Sequence, residues 1–80
     1  MRLPRGLSGS DLVKGLGRVD YAISRQKGSH VQLTTQVNGE HHVTVPLHDP
    51  VRVGTLALIL DSVASHLRMT RDELLNAMKV

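Results

Sequence analysis

The chain has 80 residues, no cysteine, three prolines and one Phe/Tyr/Trp-type aromatic, Tyr21. That length allows one small domain, 1–80, and excludes a two-domain enzyme carrying its own cofactor fold. Without cysteine there is no disulfide scaffold and no thiolate metal site, and the composition fits a reducing cytoplasm. The net charge of +3 is unevenly placed: residues 1–27 hold six basic and two acidic groups, whereas residues 28–80 hold four basic and five acidic ones. A basic front end suits nucleic acid or an acidic partner surface. The longest apolar run, Leu56–Leu60, is too short to span a bilayer. Arg2 and Arg5 are not followed by the apolar run of a signal peptide, so a cytoplasmic protein is expected.

Residues 1–7 read as an N-terminal arm. Ser8-Gly9-Ser10-Asp11 has the spacing of a capping box, and Leu12, Leu16 and Val19 form one helical stripe, so a short helix is expected from Ser8 to near Arg18. Gly15 and Gly17 weaken its end. Tyr21–Gln26 reads as a strand and Tyr21 as a core anchor, with a turn at Lys27-Gly28-Ser29. Val31, Leu33 and Thr35 then alternate with His30, Gln32, Thr34 and Gln36, the pattern of a half-buried strand. Asn38-Gly39 signals a hairpin, and Val43 and Val45 continue the alternation. A three-residue loop, Asn38-Gly39-Glu40, pairs Leu33 with Val45 and Val31 with Leu47, and brings His30 close to His48 on the polar face.

Pro46, Asp49 and Pro50 end the strand region. Leu56, Ile59, Leu60, Val63 and Leu67 lie at helical spacing, and Thr70-Arg71-Asp72-Glu73 is a capping box opening a last short helix. The order predicts an α+β fold: a three-stranded antiparallel sheet with helices packed on one face.

The chemistry concentrates in Arg25-Gln26-Lys27-Gly28-Ser29-His30. A tight turn at Gly28-Ser29 offers backbone N–H groups to a phosphate. His30, flanked by Arg25 and Lys27, is suited to general acid or base work on a phosphodiester. RNA carries its own nucleophile, the 2′-OH, and needs no metal, whereas DNA lacks that group. The sequence holds no carboxylate cluster of the two-metal kind, and no cofactor or metal is expected. The same residues also read as an exposed strand histidine beside a basic turn. His48 is a candidate second acid or base on the register argument. His41 and His42 point to opposite faces and cannot share one metal; His30, His42 and His48 share a face without the tight geometry of a zinc site. His66 reads as a helix-surface residue.

Taken together, Leu7-Ser8-Gly9-Ser10-Asp11-Leu12, Arg25-Gln26-Lys27-Gly28-Ser29-His30, His42-Val43-Thr44-Val45-Pro46-Leu47-His48 and Gly54-Thr55-Leu56 with Ile59-Leu60 resemble the HicA toxin family of toxin–antitoxin systems. The likeness runs over about residues 7 to 78. It implies a fold similar to a double-stranded-RNA-binding domain, α-β-β-β-α, with the second helix on residues 54 to 67. It implies an mRNA interferase, an endoribonuclease neutralised by a HicB antitoxin, with the catalytic histidine on His30 and Gly28 and Ser29 as motif neighbours. Arg25 and Lys27 would hold the RNA backbone, and water, Lys27 or His48 would complete the acid–base pair. The alternative is a non-catalytic double-stranded-RNA-binding module, disfavoured because the last helix answers Arg71 with Asp72 and Glu73 and offers no long basic face. A third reading is a structural partner that binds only its cognate protein.

Overall fold

A computed structural model describes residues 3, 4 and 6–80. The expected arm, 1–7, includes positions 1, 2 and 5, which lie outside the described residues; Leu3 and Leu7 within it pack against the core. The elements are α1 (Gly9–Gly17), β1 (Ala22–Lys27), β2 (His30–Thr35), β3 (His41–Pro46), α2 (Val53–Leu67) and α3 (Arg71–Met78). The strands form one antiparallel sheet in the order β1-β2-β3. The helices pack on one face of it, giving the α-β-β-β-α arrangement plus a short last helix that the sequence implied.

α1 and α3 start where their capping residues say they should. Ser8 Oγ accepts the Asp11 N–H at 3.0 Å, satisfying one of the free donors of the first turn of α1. At α3 both halves of the capping box form: Thr70 Oγ1 accepts the Glu73 N–H at 3.1 Å, and Glu73 accepts the Thr70 N–H at 2.8 Å. These bonds favour the ionised form and hold the Glu73 carboxyl below the ordinary range. Gly15 is a packing residue as well as a helix weakener. A Cβ there would meet Met78 Cε at 3.0 Å, so its absence lets α1 and α3 close on each other.

One cluster forms the core. Val31, Leu33, Val43 and Val45 from the sheet meet Leu12, Leu16, Leu56, Leu60, Val63, Leu74 and Met78 from the helices. Full burial of such side chains is worth about 1.5–3 kcal/mol each, so aliphatic residues supply the core with one buried aromatic, Tyr21. The opposite sheet face stays open.

The register of the β2–β3 hairpin differs from the expectation. Leu33 pairs with Val43, Val31 with Val45 and His30 with Pro46, a slip of two residues. Instead of the three-residue loop Asn38-Gly39-Glu40, the ladder stops at Thr35 and His41, leaving residues 36–40 as the loop. Three contacts decide this. Gly39 N–H closes onto Gln36 O at 3.1 Å, buried Thr35 accepts the Val37 N–H at 3.2 Å, and the His66 ring reaches over from α2 to the carbonyls of Val37 and Gly39. A two-residue slip preserves which side chains face the core, so the buried and open faces are those expected.

β1 holds a second irregularity. Ile23 pairs with Leu33, but the next pair is Arg25 with Gln32, so Ser24 is a bulge. A bulge inverts the alternation beyond it. Ile23 therefore lies on the core side, while Arg25 and Lys27 lie on the open side with Gln32 and His30. No helix reaches over β1: every one of its residues is exposed.

Candidate functional site

The site begins at the Gly28-Ser29 turn. Gly28 has φ +58°, and a positive φ at the first central residue alone is the pattern of a type II′ hairpin turn, for which glycine is suited. The turn makes Lys27 and His30 direct partners. With Arg25 two pairs further along, the turn and the alternation of β1 gather Arg25, Lys27 and His30 on one open face. Gln32 and Thr44 complete a shallow depression of about 200 Å³ there.

His48 lies beyond the end of β3 and is brought back by two backbone bonds. Leu47 N–H donates to Ser29 O at 2.7 Å, and Gly9 N–H, at the start of α1, donates to His48 O at 2.8 Å. Gly9 has no room for a side chain, since a Cβ would lie 2.7 Å from Leu47 Cα and nearer still to the Pro46 carbonyl. The His30 and His48 rings meet edge to face with centroids 6.5 Å apart. The expected proximity of the two imidazoles thus holds by a different route: His30 is paired with Pro46, and the chain continues past it to His48.

A second depression, of about 390 Å³, lies on the other side of His30 and is lined by His30, Thr44, Pro46, His48, Arg52 and Thr55. Both hollows open onto the exposed sheet face and suit a strand laid across it. Arg52 and Thr55 are the residues that sequence reasoning missed. The one available signal was a cation two residues before the Gly54-Thr55-Leu56 segment, at the N-cap position of α2. Gly28 and Ser29 serve through their backbone, as the turn and as the carbonyl that holds Leu47.

Residues 9–64 match the family model described as the HicA toxin of bacterial toxin–antitoxin systems. The chain belongs to the HicA toxin family. No curated protein and no solved structure matches it. The HicA match runs from α1 into the last turns of α2, so it takes in Gly9, both depressions and both histidines, and stops before α3. Among the described residues of this HicA-family chain, no helix is long and apolar enough to cross a membrane.

The remaining histidines form two separate networks. On the open face, Ser24 Oγ lies 2.7 Å from Thr34 Oγ1, which lies 2.6 Å from His42 Nδ1, and His42 Nε2 meets Glu40 at 2.8 Å. With Nε2–H donating to the carboxylate, Nδ1 accepts from Thr34, and Thr34 in turn accepts from Ser24. On the core side, Tyr21 Oη meets His41 Nδ1 at 2.7 Å, and His41 Nε2 reaches Ser62 at 3.1 Å. Opposite directions for His41 and His42 are thus observed as expected. His66 is not a bare surface residue: its Nε2–H donates to Val37 O at 2.7 Å and Gly39 O at 3.0 Å. The His41 and His66 rings stack with centroids 4.4 Å apart. Burial, together with the neighbouring His66 and His42, lowers the His41 pKa, and burial pushes that of Tyr21 up to about 12.

Proposed function

We propose that the chain is the toxin component of a HicAB-type pair, an mRNA interferase that cleaves RNA on the open face around His30 without a metal. Family membership supports the toxin role, and the family context implies an RNA substrate and a HicB-like partner. The observation that carries the catalytic reading is the placement of His30 and His48 side by side between two cation-bearing depressions. Their separation lets both rings reach oxygens of one phosphate.

In this reading Arg25 and Lys27 hold the phosphate backbone through charge-assisted hydrogen bonds. One imidazole takes the proton of the ribose 2′-OH, and O2′ forms a bond to phosphorus. The P–O5′ bond breaks, and the second imidazole, or Lys27 or water in its place, protonates the leaving O5′. The products are a 2′,3′-cyclic phosphate and a 5′-hydroxyl. The substrate supplies the nucleophile, so the route requires no metal. A HicB-like antitoxin would block it by laying acidic groups over Arg25, Lys27 and His30, in an interface of about 1,200–2,000 Å².

A non-catalytic RNA-binding module draws support from one observation, the cluster of Lys14, Arg18 and Lys79 between α1 and the end of α3. Arg18 there is engaged by the Met78 carbonyl at 3.0 Å. Cleavage of mixed-sequence single-stranded RNA in excess EDTA separates the two readings. The wild type is expected to cleave, leaving cyclic phosphate ends, and His30→Ala to lose about 10²–10⁴-fold in rate. Equal background from both folded proteins would favour the binding module, and 3′-hydroxyl products would overturn the 2′-OH route.

A further inference from the structure

Resting on the reading of His30 as the centre of an RNA-cleaving face, we propose that the depression formed by His48, Arg52 and Thr55 is a second phosphate subsite. The RNA strand would then cross the β-strands from β1 toward α2, with the scissile phosphate over His30. The two hollows share only His30 and Thr44 in their linings. Each has its own cation, Arg25 with Lys27 on one side and Arg52 on the other, and no carboxylate lines either. Arg52 is exposed, and among the described residues it forms no ion pair. Its guanidinium is therefore available to a ligand, and guanidinium is the group best matched to the oxygens of a phosphate. The half-buried Thr55 adds a hydroxyl beside it.

Position fixes which phosphate Arg52 takes. From β1 to β3 is two strand spacings, about 10 Å, and Arg52 lies beyond β3. A phosphate held by Arg25 and Lys27 on β1, beside His30, and a phosphate at Arg52 therefore belong to different nucleotides of the same strand. A dinucleoside monophosphate, having one phosphate, fills the centre and leaves the Arg52 subsite empty.

The test compares wild type, Arg52→Ala and Arg68→Gln. Arg68→Gln removes the same charge at the opposite end of α2, from an exposed residue that lines neither hollow. On a short oligoribonucleotide, Arg52→Ala is expected to lower kcat/KM about tenfold, the scale of one charge-assisted phosphate contact. On a dinucleoside monophosphate the ratio to wild type should stay near one. Binding of an uncleavable 2′-deoxy oligonucleotide, followed by fluorescence anisotropy, should weaken likewise, with the slope against log salt reduced by about 0.7. An equal loss on the dinucleoside, or an equal loss of binding in Arg68→Gln, would overturn the subsite. Absence of cleavage by wild type would count against the ribonuclease reading alone, because the anisotropy comparison still decides Arg52.

Discussion

Gly9 shows how a single missing side chain reaches the chemistry. Its N–H holds the His48 carbonyl, and its Cα sits against Pro46 and Leu47 with no space for a methyl group. Gly9→Ala must push α1 off the end of β3, at a cost of about 1–3 kcal/mol by overpacking. The His48 ring would move with it. Thermal unfolding should show the loss of stability, and RNA cleavage at a temperature where the variant remains folded should fall as well. An unchanged rate in a destabilised Gly9→Ala protein would remove His48 from the acid–base pair. The role of Gly9 was invisible in the sequence, where it reads as one more residue of a Ser-Gly-Ser helix start. What it meets lies 37 residues away, at the far end of a strand.

Among the elements, the β2–β3 hairpin is fastened to α2 by two stacked histidines. Tyr21, Ser62, His66 and His42 are the titratable and polar groups facing His41. Because its folded pKa is lowered from 6.5, the unfolded chain takes up a proton at this position before the folded one does. Stability contributed here is complete above about pH 6.5 and is lost as pH falls through the window down to the lowered value. The melting temperature should therefore drop between about pH 7.5 and about pH 5, and drop less in His41→Gln. An equal drop in both proteins would place the acid sensitivity elsewhere. The same fastening explains what the sequence could and could not disclose. Alternation named every buried residue of β2 and β3, and capping residues placed α1 and α3, since both signals are local. The loop length was misjudged because two of the bonds that fix it come from His66, on another element. The Ser24 bulge was missed because Tyr21–Gln26 reads equally well as an unbroken strand. His30, Arg25 and Lys27 were legible as neighbours, but their common face was not: it depends on Lys27 pairing with His30 across a two-residue turn, where the sequence reading puts Lys27 in the turn itself.

Across the whole molecule, coverage of the sheet is lopsided. α1 and α2 lie over the β3 side, and β1 is left as a bare edge with Ile23 57% exposed. An uncovered edge strand presents unpaired backbone groups to any strand that approaches, and flanking charge is one of the ways proteins prevent such pairing. Arg25 and Lys27 sit on that edge. The cations proposed to bind phosphate are thus also placed to discourage two copies of the chain from pairing edge to edge. Replacing both with alanine is expected to raise self-association, measurable as a concentration-dependent shift in sedimentation, whereas His30→Ala on the central strand should remain dispersed. A strictly monomeric double variant would show that the bulge alone protects the edge. On the proposed reading, the uncovered edge ties solubility to activity: neutral substitutions at Arg25 and Lys27 would weaken the phosphate grip and the colloidal guard together, whereas replacing the His30 imidazole would leave the positive charge, and with it the dispersed state, in place.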